Sequence, residues 1–159
     1  MKFLIAAFLF LFSTPSFASI YLNWGTAFDY PGDSQYSDVQ TYALGHGGVL
    51  SKKFDYILEA GGWKDPGHFP GAKPALYTSA AIGLDLRLHE KYASYFIGPS
   101  ILSDHDTILG SNYQVFHKFS FGVRDERDRR IGFFIKHWSN AGLTKINYGR
   151  NFAGLEVAF

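Results

Sequence analysis

The sequence predicts an all-β fold, an eight-stranded antiparallel transmembrane β-barrel. Three observations carry the prediction. Apolar residues recur at every second position through eight segments, and the connections between them alternate long and short. Aromatics make up 18% of the chain and Gly numbers 17, while the mean hydropathy is only −0.06. A period of two is strand periodicity, and abundant turns without long apolar blocks disfavour membrane-spanning helices.

With 159 residues the chain is at most one ordinary domain. Cysteine is absent, which removes disulfides, thiolate metal sites, a Cys nucleophile and a lipoprotein anchor together. Fifteen basic residues against fourteen acidic make no broad positive field, so nucleic acid is not expected as a partner.

Lys2 precedes an apolar run from Phe3 to Phe12, which Ser13, Thr14 and Pro15 break before the small-bulky-small sequence Ser16-Phe17-Ala18. This reads as a signal peptide over residues 1–18, cleaved after Ala18, because the run is far shorter than the roughly 20 residues that cross a bilayer. The mature chain is then 19–159, a single barrel without a second domain, linker or internal repeat beyond its strands.

The first strand starts at Ile20, with Ile20, Leu22, Trp24 and Phe28 on one face and Tyr21, Asn23, Gly25, Ala27 and Asp29 on the other. The second, about Val39 to Leu50, is interrupted by Gly45, Gly47 and Gly48. In the third, Phe54, Tyr56, Leu58 and Ala60 oppose Asp55, Ile57, Glu59 and Gly61. In the fourth, Ile82, Leu84, Leu86 and Leu88 oppose Ala81, Gly83, Asp85 and Arg87. Tyr92 to Leu102 makes the fifth. Tyr113 to Arg124 makes the sixth, in which Val115, Phe119, Phe121 and Val123 share a face that also carries His117. The seventh is Arg130 to Ser139, and the eighth about Asn147 to Phe159, with Ala153, Leu155, Val157 and Phe159 in phase.

Residues 30–38, 64–75 and 103–112 are long connections rich in Pro, Gly, Asp or Ser, whereas 51–53 and 89–91 are short. Long loops therefore fall at one end and short turns at the other, the pattern of outer-membrane barrels, and the charge run 125–130 fits a solvated inner turn. A soluble lipocalin-like barrel shares the alternation but turns its apolar residues inward. Glycines among the polar face, Tyr and Trp near strand ends, and an aromatic at Phe159 like that of the barrel-assembly signal favour the membrane. Asp55, Glu59, Asp85 and Arg87 are then expected to form a polar network in a lumen too narrow for a channel.

On the seventh strand Ile131, Phe133 and Ile135 define the apolar face, and continuing by twos brings His137 and Ser139 to the lipid side. Two residues apart on a strand they are neighbours, about 6–7 Å between Cα atoms, within reach for an imidazole to act as base to a hydroxyl. Ser139 to Gly142 is equally ordinary turn chemistry. Asp104-His105-Asp106 reads as a solvated loop rather than a cation site, and His46, His68, His89 and His117 as interfacial, loop or lumen residues. No cofactor and no metal are expected.

The string His137-Trp138-Ser139-Asn140-Ala141-Gly142-Leu143, followed by Asn147, Gly149 and Gly154-Leu155, resembles the PagL family of lipid A 3-O-deacylases, also grouped as acyloxyacyl-hydrolase-like barrels. The resemblance implies a serine esterase of the bacterial outer membrane that hydrolyses the 3-O-linked 3-hydroxyacyl chain of lipid A. Its partners are lipopolysaccharide and outer-membrane lipids, with a homodimer left open. By position Ser139 is the nucleophile and His137 its base, and Asn140, the Gly142 amide and Asn147 orient the site or donate to the oxyanion. The family carries a Glu twelve residues after the Ser, where this chain has Asn151; parity puts Asn151 on the His137 face and turns Glu156 inward. The alternative is a barrel that keeps the shape without the activity, with a structural or surface-binding role.

Overall fold

The computed structural model describes residues 19–28, 39–64, 74–105, 109–145 and 149–159; the expected signal peptide, 1–18, lies outside them. Eight strands follow in chain order: β1 (Ser19–Ala27), β2 (Gln40–Val49), β3 (Asp55–Lys64), β4 (Ala75–Leu88), β5 (Lys91–Leu102), β6 (Tyr113–Arg124), β7 (Arg130–Ser139) and β8 (Arg150–Ala158). Every strand pairs antiparallel with its sequence neighbours, and β1 pairs with β8, so the sheet closes on itself. Closure leaves no strand edge unpaired, the condition a sheet must meet to stand in hydrocarbon.

Which face points outward is settled by burial. Leu22, Trp24, Leu44, Leu76, Leu84, Leu86, Ile131 and Phe133 are all exposed, while Asn23, Glu59, Ser100, Lys118, Lys136 and Glu156 are buried. An apolar exterior around a polar interior is the inverse of a soluble barrel and fits lipid as the surrounding solvent.

The interior is layered. Near the long loops, Trp63, Trp138 and Phe152 pack with Tyr77 and Phe116, ring centroids 4.9–5.8 Å apart. Below them Glu59 accepts hydrogen bonds from Lys136 Nζ at 2.5 Å, Tyr77 Oη at 2.6 Å and Tyr21 Oη at 3.0 Å, and is 3.3 Å from Lys118 Nζ. Lys118 also pairs with Glu156. Toward the short turns, Arg87 bridges Asp55 at 3.4 Å and Asp85 at 3.0 Å, and Arg130 reaches Asp85 at 2.8 Å. The expected single network of Asp55, Glu59, Asp85 and Arg87 is thus two: Glu59 sits in the lysine layer, whose partners come from strands remote in sequence.

β4 begins at Ala75, where the expected 64–75 connection ends, and its outer half shows Thr78 and Ala80 to lipid and Tyr77 and Ser79 to the lumen. One other expectation is adjusted. Of the tryptophans only Trp24 is exposed, whereas Trp63 and Trp138 point inward and fill the barrel instead of joining a girdle. Large rings fit inside partly because small residues face them: a Cβ on Gly25 would lie 2.8 Å from the Phe134 ring.

Candidate active site

His137 and Ser139 end β7 at the rim that carries the longer connections, and both are partly exposed on the outer face in phase with Ile131, Phe133 and Ile135. Their backbone is held from inside. Lys136 and Trp138, the inward residues on either side of His137, are fully buried, Lys136 on Glu59 and Trp138 through Nε1–H donated to Ser100 Oγ at 3.2 Å. Anchors on one face of a strand fix where the other face points, since successive side chains alternate.

Asn151 stands directly opposite His137 in the β7–β8 ladder, and its Oδ1 lies 2.8 Å from His137 Nδ1. An amide oxygen only accepts, so this contact puts the proton on Nδ1 and leaves Nε2 as the free, basic nitrogen. The carbonyl of Asn151 is itself held by the Phe28 N–H at 3.1 Å. Gly149, just before β8, adopts φ +72°, and a Cβ there would come within 2.6 Å of His137 Cε1. Bare backbone at that point makes room for the imidazole.

The chain leaves β7 through a tight turn. Asn140 is fully buried: its Nδ2 donates to the Leu109 carbonyl at 2.9 Å and to Thr144 Oγ1 at 2.6 Å, and its Oδ1 accepts the Gly142 N–H at 2.9 Å. Ala141 and Gly142 have φ of 52° and 80°, left-handed values that are unusual for alanine. Asn140 therefore ties the turn after Ser139 to the β5–β6 loop, and in this conformation it occupies the Gly142 N–H. Asn147 lies outside the described residues. Glu156 faces the lumen on Lys118, remote from the imidazole.

Among the described residues no hydrogen bond joins Ser139 to His137. Such bonds commonly tighten only when substrate is in place, so the relevant point is that the two side chains share one face and one rim. His105, of the loop motif 104–106, pairs through Nδ1 with Asn112 Oδ1 at 2.6 Å, and Asp106 lies outside the described residues.

The family model for lipid A 3-O-deacylases (PagL) matches residues 16–159. The chain belongs to that deacylase family. Comparison with curated protein sequences returns no match. Among solved structures the deacylase-family barrel is similar to the crystal structure of the outer membrane enzyme PagL, with TM-score 0.69 and 19% identity over 89% of this chain and 98% of the other. It is also similar to the protein Ail of Yersinia pestis. In nanodiscs Ail matches with TM-score 0.55 and 12% identity, covering 91% of this chain and 99% of that one. In the crystal the values are 0.54 and 10%, covering 92% and 100%. At such identities the structural likeness establishes the barrel, and the family assignment rests on the sequence model.

Sequence reasoning missed one neighbour. His117 on β6 pairs in register with His137, their ring centroids 5.7 Å apart, and Tyr95 Oη on β5 lies 2.8 Å from His117 Nδ1. The available signal was a histidine in phase with Val115 and Phe119 on a lipid-facing strand. Its significance depends on the β6–β7 register, which alternation does not specify.

Proposed function

We propose that this deacylase-family barrel is a serine esterase of the outer membrane, reached after cleavage of residues 1–18, which releases the 3-O-linked 3-hydroxyacyl chain from lipid A. One observation carries the reading: an outward imidazole at the loop-bearing rim has its Nδ1 fixed by Asn151 and shares its face with a serine hydroxyl. Acyl chains and sugar headgroups meet at that depth, so an ester bond would lie against Ser139.

In the proposed cycle Ser139 Oγ attacks the ester carbonyl while His137 Nε2 takes its proton. The tetrahedral intermediate collapses with cleavage of the bond to the sugar oxygen, which His137 protonates as it departs, and the acyl group remains on Ser139. Water, deprotonated by His137, then attacks the acyl-enzyme, and as the bond to Ser139 Oγ breaks His137 returns the proton to that oxygen, freeing the 3-hydroxy fatty acid. Asn151 positions the imidazole in the tautomer this needs, without contributing negative charge. Asn140 shapes the turn after the nucleophile. Gly142 N–H would serve the oxyanion only after exchanging its bond to Asn140 Oδ1 for one to substrate, and Asn147 is the further donor in this reading. Ser139, His137 and Asn151 come from one chain, so the chemistry does not require a dimer.

The test is Ser139→Ala in detergent-solubilised lipopolysaccharide. The variant is expected to fold as a barrel and to release no 3-hydroxy fatty acid; release equal to the parent's overturns the esterase. Asn151 in place of a carboxylate favours a second reading, a barrel without turnover. That reading predicts unchanged lipid A mass in cells that make the protein.

A further inference from the structure

We infer that His117, held by Tyr95, recognises the 3-hydroxyl of the acyl chain being released, and so makes the site selective for 3-hydroxyacyl over plain acyl esters. The inference rests on the esterase reading above and extends it to substrate choice.

The placement is the argument. Tyr95, His117, His137 and Asn151 lie on the outer face of four consecutive strands, β5 to β8, joined by the contacts Tyr95–His117 at 2.8 Å, His117–His137 at 5.7 Å between rings and His137–Asn151 at 2.8 Å. Ser139 is opposite Val115, two pairs closer to the rim than the His117–His137 pair. A chain whose carbonyl is at Ser139 and whose tail descends into the bilayer must pass that row within its first few carbons, about 7 Å along the strands. Beyond the row the outer face turns apolar: Phe119, Phe121 and Phe133 are exposed, with centroids 5.6 and 5.8 Å apart in sequence of contact, a track for the rest of the chain.

A hydroxyl entering this track loses water and needs a partner. Tyr95 occupies His117 Nδ1, which directs Nε2 to any further partner. If Tyr95 donates, Nε2–H is a donor; if it accepts, Nε2 is an acceptor. A hydroxyl satisfies either, whereas a methylene satisfies neither and leaves Nε2 unpaired against lipid.

The experiment compares two esters of one sugar alcohol with equal chain length, one bearing a 3-hydroxyl, hydrolysed by the full protein folded in micelles. The parent is expected to prefer the hydroxylated ester, and His117→Phe to reduce that preference about two- to tenfold, the worth of one net hydrogen bond. Tyr95→Phe should reduce it in the same direction. His46→Phe is the control: the comparable Tyr56 Oη–His46 Nδ1 pair, 3.4 Å apart, is on β2 and β3, near the 50–54 turn. It should leave the ratio unchanged. A preference untouched by His117→Phe, or both rates falling in proportion, overturns the inference while leaving the esterase intact. If the parent cleaves neither ester faster than Ser139→Ala, the esterase reading itself fails. Independently of turnover, the His117 imidazole nitrogen resonances of the Ser139→Ala protein should shift with free 3-hydroxy fatty acid and not with its deoxy analogue; equal response to both counts against recognition.

Discussion

Asn151 Oδ1 and His137 Nδ1 face each other at 2.8 Å across the β7–β8 ladder, so a neutral amide from the neighbouring strand holds the imidazole. On the proposed esterase reading, Asn151 would orient the imidazole without the negative charge that stabilises an imidazolium.

Asn151→Glu puts a carboxylate opposite the His137 imidazole. Hydrolysis of lipopolysaccharide should rise at least tenfold, with a ceiling near the factor of about 10⁴ that the reverse exchange costs in a serine triad, a value established on a protease rather than for this barrel. Asn151→Ala, which removes orientation as well, should fall below the parent. Release of 3-hydroxy fatty acid measures all three proteins, and a Glu variant no faster than the parent would remove Asn151 from the site.

Gly149→Ala should lower turnover sharply while the barrel still forms. The added Cβ would stand 2.6 Å from His137 Cε1, and alanine at φ +72° bears a strain of about 1–3 kcal/mol. Heat-modifiable gel migration reports the fold and fatty-acid release the activity. Retained activity would mean that the ring does not depend on this gap.

Lys136→Met leaves volume nearly constant but strips Glu59 of its 2.5 Å partner, with Lys118 at 3.3 Å remaining. Removing one member of a buried pair costs about 3–5 kcal/mol, and the second lysine sets this case toward the lower end. The midpoint of urea unfolding in micelles should drop accordingly.

Phe133→Arg tests the assignment of faces. Phe133 is 55% exposed near the middle of β7, which in water would make the change nearly neutral. In a bilayer an arginine at that depth costs about 2–4 kcal/mol, to be read as reduced folding free energy into lipid vesicles.

The period-two pattern was enough to place His137, Ser139 and Asn151 on one face and Glu156 on the other, because lipid demands a continuous apolar exterior and a slip of one residue would reverse every side chain. The same parity turns Trp138, between His137 and Ser139, and Trp63, in phase with Glu59, toward the lumen, but it does not tell that their rings pack together there. The split of Glu59 from Asp85 and the meeting of His117 with His137 depend on register between strands, a property of pairs of segments rather than of any one of them.

The rings of Trp63, Trp138, Phe116 and Phe152, stacked across the bore beneath the loops, have a consequence for the host. Rings packed this closely occupy the axis of the cylinder. On the outer-membrane placement proposed above, each added copy would bring a lipid-facing flank to the membrane rather than a further pore.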